Sequence, residues 1–250
     1  MARTLVLNAT GKVSTALIDE LVDKGIAVTA ASRNPTASST DAVRRVHFDY
    51  NDPETFGPAL DDVDRVFWLA PPMQLDVEAL CGPFFDAALP VVDKVVLMTA
   101  SGVEHAGDIP LRRIEKRIEA APVDHTILRP NWFMDNFHTF WVHGVQNGTI
   151  ELPAADGKSA FIDAGDIAAS AAAALTRPDT NGRSYTLTGS ESLTYAEAAE
   201  VLTMAPPTEG QEGRHEEDHQ APQDGDEGRH EPAHQAPREG DEGRHEGDEG

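Results

Sequence analysis

Short apolar runs alternate with amphipathic segments of helical length over about the first 200 residues, and that alternation narrows the fold more than any single motif. The runs at 4–7, 26–31, 43–48, 65–69, 94–99 and 125–128 have the length and the Val, Ile, Leu and Phe content of buried strands. Helical patterns at 12–24, 53–60, 74–88 and 110–121 fill the spaces between them. In the first of these, Val13, Leu17, Leu21 and Val22 share one face, and Gly25 stands where a glycine ends a helix. Strands alternating with helices predict an α/β fold, a doubly wound parallel sheet of Rossmann type. Beyond residue 131 the pattern loosens. It resumes with an expected strand at 161–163, a helix at 166–175 capped by Asp166, a strand at 184–187 and a helix at 194–203 capped by Thr194.

The alternation stops near residue 204, and two domains are expected, at 1–204 and 205–250. From Glu209 to Gly250 the chain has 15 acidic and four basic side chains, so this stretch holds −11 of the net −23. It repeats with a period of fifteen: Glu-Gly-Arg-His-Glu recurs at 212–216, 227–231 and 242–246, and His-Gln-Ala-Pro at 219–222 and 234–237. Such a segment buries too little apolar surface to offset its ordering entropy, so it is expected to be disordered. His215/His219 and His230/His234 have the i, i+4 spacing of helix-borne metal ligands. No helix is expected there, so no metal site is predicted.

The preceding residues are also acidic and contain no basic cluster with interleaved aromatics, which argues against nucleic acid as a partner. The single cysteine, Cys81, rules out an intramolecular disulfide and suits a reducing compartment; it falls in an apolar helix and is expected in the core. With no signal-peptide pattern and no apolar run near eighteen residues, a cytoplasmic location without membrane association is expected.

Ligands of doubly wound sheets bind at the carboxyl ends of the strands. The first such end reads Asn8-Ala9-Thr10-Gly11-Lys12-Val13-Ser14, a glycine-rich dinucleotide loop with one glycine of three. Gly11 holds the place where the pyrophosphate backbone comes closest. Asn8 replaces the turn glycine and tolerates positive φ, while Ser14 replaces the packing glycine and should strain the contact of helix with strand. By itself this spelling fits a structural turn better than a dinucleotide loop; its position between the first strand and the first helix favours a dinucleotide. The second strand ends in Ala30-Ala31-Ser32-Arg33, without the acid that usually meets the ribose of NAD. Arg33 suits a 2′-phosphate instead, which favours NADPH over NADH as cofactor.

The segments LVLNATGKVSTALIDELVDKG, TAASRNP, FDYNDPETF, VFWLAPP, VVLMTASGVEH, IEAAPVDHTILRPNWFMDNF and FIDAGDIAASAAAAL resemble the NmrA-like group of atypical short-chain dehydrogenase/reductases. That group includes NAD(P)H-dependent quinone and triphenylmethane-dye reductases and redox-sensing regulators. The resemblance runs from residue 3 to about 202 and is most specific in ILRPNWFMDNF, with its Asn131 and Asn136. It implies that Thr10, Gly11, Lys12 and Val13 line the pyrophosphate and that Arg33 meets the 2′-phosphate. Asp49 and Tyr50 would lie near adenine, Leu69 and Ala70 along the cofactor, and Thr99 to Ser101 near the nicotinamide ribose. Lys116, in a Glu115-Lys116 pair, would contact ribose. Pro130 and Asn131 would flank the nicotinamide, and Trp132 and Phe133 would wall the substrate pocket.

The chain departs from the wider dehydrogenase pattern in two ways. Tyr50, Tyr185 and Tyr195 are followed at the fourth position by Glu54, Gly189 and Ala199, so no Tyr-x-x-x-Lys acid is present. The family pattern gives way to the acidic repeat where relatives carry a substrate lobe, so a reduced lobe and an open pocket are expected. The readings that result are hydride transfer to a quinone-like or other conjugated small molecule, or a non-catalytic NADP(H) sensor with a protein partner. Trp132, Phe133, Phe137, Phe140 and Trp141 could form a substrate wall or a packing cluster, and His105 and His138 are expected at the surface or in packing.

Overall fold

The computed structural model describes residues 3–35, 38–71, 74–150, 152 and 154–204; the acidic repeat and its histidines lie outside the described residues. The chain divides into Met1–Ala205 and Pro206–Gly250, and the architecture below belongs to the first unit. In chain order the elements are β1 (Arg3–Val6), α1 (Lys12–Asp23), β2 (Ala27–Ser32), β3 (Val43–His47), α2 (Phe56–Leu60), β4 (Arg65–Leu69), α3 (Val77–Ala88) and β5 (Lys94–Met98). Then come α4 (Pro110–Ala120), β6 (Asp124–Pro130), α5 (Val142–Gln146), β7 (Lys158–Ser159), α6 (Ala164–Thr176), β8 (Arg183–Leu187), β9 (Leu193–Thr194) and α7 (Tyr195–Met204).

Seven strands form one parallel sheet in the order β3-β2-β1-β4-β5-β6-β8. The order reverses between β1 and β4, which opens a crevice at their carboxyl ends. Both faces are covered because the strands carry apolar residues on both. Val6, Phe67, Val96 and Leu128 pack with α1 and α6 on one side; Leu5, Trp68, Leu97 and Ile127 pack with α2, α3 and α4 on the other. Alanines 168, 171 and 172 of α6 are small enough to let Leu17 and Leu21 of α1 lie close against it. A smaller core joins Phe137, Trp141, Phe161 and Ala198 beside the antiparallel β7–β9 pair.

Turns follow from local chemistry. Gly25, at φ 71°, sits in the left-handed region where a glycine is favoured. The expected helix at 74–88 starts only at Val77, because the Asp76 side chain accepts from the Ala79 amide at 3.1 Å and caps it there. Two expectations need correction. Residues 161–163 form no strand; Ile162 makes one isolated parallel bridge to Phe133, and Phe161 is drawn into the small aromatic core. The cap of α6 is Asp163, accepting from the Gly165 amide at 2.7 Å, and Asp166 lies in the first turn, where its charge faces the helix dipole.

Thr194 does cap α7, in a reciprocal box. Its hydroxyl accepts from the Glu197 amide at 3.1 Å, and the Glu197 carboxylate accepts from the Thr194 amide at 2.8 Å. Thr194→Ala is expected to cost about 1 kcal/mol, read as a lower urea midpoint with an unchanged slope.

Among the described residues no helix is long and apolar enough to cross a membrane, and no group of three or more His, Cys, Asp or Glu could hold a metal ion.

Candidate functional site

The loop after β1 is built to receive an anion. Asn8 adopts φ 50°, the left-handed conformation that asparagine tolerates, and its carbonyl accepts from the Gly11 amide at 2.9 Å. A Cβ on Gly11 would fall 2.8 Å from Asn8 Nδ2 and 3.2 Å from the Asn8 carbonyl oxygen, so glycine is required by contact, not by φ. Helix α1 begins on Gly11 with no side-chain cap and no acid in its first turn. The amides of Lys12, Val13 and Ser14 have no acceptor among the described residues. Free amides at a dipole's positive end fit a pyrophosphate, so the loop fits a dinucleotide. Ser14 is not strained: it is fully buried, and its hydroxyl donates to the Leu7 carbonyl at 2.9 Å, tying helix to strand.

Other residues expected around a cofactor follow the strand ends. Arg33 is exposed just beyond β2, its carbonyl 2.7 Å from His47 Nδ1 and its guanidinium without a partner among the described residues. Leu69 and Ala70 are half-buried at the end of β4, and Asp49 begins the turn after β3, where its carboxylate accepts from the Asn51 amide at 2.9 Å. Tyr50 packs edge-on against Phe48, centroids 4.8 Å apart, with its hydroxyl turned inward beside Cys81 and Trp68. Burial and the neighbouring thiol push that hydroxyl well above the usual phenol range, and burial pushes the Cys81 thiol up to about 12. Cys81 is fully buried, a core residue. Lys12 reaches across the crevice, its ammonium 2.8 Å from the Asp135 carboxylate in the turn after β6.

A cavity of about 370 Å³ opens at the carboxyl ends of β5 and β6. Thr99–Ser101 form one side, Pro130–Phe133 the other, and Asn136 completes it. None of these side chains titrates near neutrality. Trp132 is 48 % exposed at the rim. The five aromatic residues divide: Trp132 and Phe133 line the cavity, Phe137 and Trp141 are buried in the small core, and Phe140 stands exposed. His105 and His138 are exposed and do not line the cavity.

Behind the cavity lies a buried ionic cluster. Glu115 is fully buried and accepts two bonds from Arg129, both 2.9 Å, one from Arg112 at 2.7 Å and one from the Thr99 hydroxyl at 2.6 Å. Burial alone would raise the Glu115 pKa; the bonds from Arg129 and Thr99, with the charge of Arg129 and the bond from Arg112, outweigh it and hold the carboxyl below its usual range. The Glu115-Lys116 pair therefore splits by helix geometry. Glu115 faces the sheet and orients Thr99, while Lys116 is exposed and does not line the cavity. Asn136 and Asp135 were legible only as parts of a family stretch; the signal for them was polar side chains set among aromatics directly after a strand.

A parallel sheet with this switch point, an uncapped Gly11 helix start and a cavity two strands away have the form of a dinucleotide-binding α/β protein. The family described as NAD(P)H-binding matches residues 9–178. An oxidoreductase of Bacillus subtilis, YesF, is 33 % identical over 206 residues, covering 80 % of this chain and 70 % of that protein. Agroclavine dehydrogenase of Claviceps purpurea is 32 % identical over 211 residues, covering 80 % of this chain and 71 % of that protein. The quinone oxidoreductase QOR2 of Escherichia coli, solved with NADPH, shares the fold at a TM-score of 0.70 and 22 % identity, over 80 % of this chain and 74 % of its own. The chain belongs to the NAD(P)H-binding oxidoreductases of the NmrA-like, atypical short-chain dehydrogenase/reductase family.

Proposed function

We propose that the protein is an NADPH-dependent reductase that passes hydride to a planar conjugated acceptor of quinone type. The observation that carries this reading is the neutral, aromatic-rimmed cavity at the ends of β5 and β6, two strands from the Gly11 loop. The loop amides would hold the pyrophosphate and Arg33 the 2′-phosphate; the bound cofactor supplies the hydride. Trp132 and Phe133 give a flat acceptor two aromatic surfaces.

The cavity side chains include no acid to donate a proton. An ordinary ketone, whose reduction generates an alkoxide, is poorly served by such a site. A quinone yields a hydroquinone anion of phenolate basicity, about pKa 10, which water protonates readily. The quinone named for QOR2 accords with this chemistry.

Anaerobic titration with NADPH, followed by mixing with a panel of quinones, dyes and simple ketones, tests the reading. Expected are NADPH binding, oxidation by the conjugated acceptors only, and a rate that is flat between about pH 6 and 8. Tight binding without turnover would replace this reading with a non-catalytic NADP(H) sensor. The 2′-phosphate assignment has its own test: Arg33→Ala should weaken NADPH at least about tenfold and leave NADH nearly unchanged. Equal losses for the two cofactors would show that Arg33 does not meet the phosphate.

A further inference from the structure

We propose that Asn136 is the residue that receives the acceptor's oxygen, so that the site selects carbonyl-bearing acceptors over cationic ones. This rests on the reductase reading above. Several polar atoms of the cavity are already engaged. The Thr99 hydroxyl donates to Glu115 at 2.6 Å and has no hydrogen left to give. Asn131 is held by its oxygen: Oδ1 accepts from the Trp132 amide at 2.8 Å and from the Ser159 hydroxyl at 3.3 Å. A backbone amide can only donate, so that orientation of the Asn131 carboxamide is fixed by chemistry; its Nδ2 hydrogens have no partner among the described residues but stay where the anchored oxygen puts them.

Asn136 shows the reverse pattern. Its backbone is fully used: the amide donates to the Phe133 carbonyl at 3.1 Å, and its carbonyl accepts from the amides of Trp141 at 2.8 Å and Thr139 at 3.3 Å. Its carboxamide has no partner among the described residues, although it lines the cavity half-buried. The main chain thus holds the residue in place while leaving the side chain free for a ligand. Ser101 also has a free hydroxyl, but it follows β5, on the side opposite the Trp132–Phe133 wall in chain order. Asn136 extends the aromatic wall itself.

The chemistry distinguishes two acceptor types. A quinone takes a hydride, gaining two electrons and one proton, while the dihydronicotinamide is oxidised; the product is a hydroquinone monoanion, and solvent supplies the second proton. Negative charge grows on oxygen, and an N–H aimed at it strengthens its bond in the transition state. A triphenylmethane dye is a cation that takes the same hydride at its central carbon and becomes a neutral triarylmethane. No oxyanion forms, so the donor contributes nothing.

Single-turnover reduction of menadione and of a triphenylmethane dye by NADPH-loaded protein tests this with Asn136→Leu and Asn136→Asp. Expected is a loss of about 10- to 100-fold for menadione with Leu and a dye rate within about twofold of wild type. Asp, which replaces the donor with a negative charge at the same volume, should lose more on menadione and equal or exceed wild type on the dye. Loss on both acceptors alike, or on neither, overturns the proposal while leaving the reductase reading intact. Should wild type reduce neither acceptor, that reading falls, and titration of the NADP⁺-loaded protein with para-nitrophenolate decides for Asn136. Weaker phenolate binding in Asn136→Leu supports it; unchanged binding overturns it. Because the carboxamide holds no other part of the described protein, both variants should melt with wild type.

Discussion

Glu115→Ala is expected to destabilise the protein by about 3–5 kcal/mol. The substitution leaves Arg129, 8 % exposed, without its two-pronged partner and removes the acceptor that orients the Thr99 hydroxyl. Glu104, 3.4 Å from the Arg129 Nε, compensates only in part. The same pair sets a pH dependence. Because the folded Glu115 carboxyl lies below its unfolded value of about 4.3, its contribution is fully present above that value and is lost as pH falls through the folded one. Acid titration of stability should therefore be steeper in wild type than in Glu115→Gln, in which this carboxyl no longer titrates. Urea midpoints measured from about pH 3 to 7 decide it, and parallel curves would show that Glu115 is not held below its ordinary range.

Gly11→Val should reduce NADPH affinity by at least about 100-fold, with a stability cost of about 1–3 kcal/mol. The new Cβ meets Asn8 on both its side chain and its carbonyl oxygen. Asn8 has little room to yield, since its φ of 50° already lies in the restricted left-handed region. Relief would move the loop and with it the free amides that start α1, which links the steric clash to the lost anion site. Gly57→Ala is the control: a Cβ there meets nothing within 4 Å, and no effect on binding is expected. Fluorescence titration with NADPH, alongside thermal melts, separates the two consequences. Melting without loss of affinity in Gly11→Val would show that the loop does not hold the pyrophosphate.

The parts of the fold written in local patterns were legible. Apolar runs such as Leu5–Leu7 and Val95–Leu97 become strands because a doubly covered sheet needs apolar residues on both faces. Asn8 stands where a turn glycine is usual and tolerates positive φ, and the structure gives it φ 50°. The strain expected of Ser14 from its volume is absent because its hydroxyl finds the Leu7 carbonyl. Asp166 competed with Asp163 for the same cap, and periodicity does not separate two acids three residues apart.

The site beyond β6 was the least legible part. The elements described there are the short turn Met134–His138, the five-residue α5 and the two-residue β7, none of which carries a period that pattern reading can find. The partnership of Glu115 with Arg129 joins a helix to the neighbouring strand, and sequence spacing does not reveal contacts of that kind. The unengaged carboxamide of Asn136 shows only once the partners of the neighbouring Thr99 and Asn131 side chains are known.

The central claim, that hydride passes from a cofactor seated on the Gly11 loop to an acceptor in the β5–β6 cavity, is tested most directly with deuterated NADPH. Two samples, each labelled on one face of the dihydronicotinamide ring, are oxidised by a triphenylmethane dye in the presence of the protein. The account predicts transfer from one face only: one sample gives dye labelled at its central carbon and unlabelled NADP⁺, and the other gives the reverse. Label transferred from both faces alike, or NADPH bound and never oxidised, would contradict it.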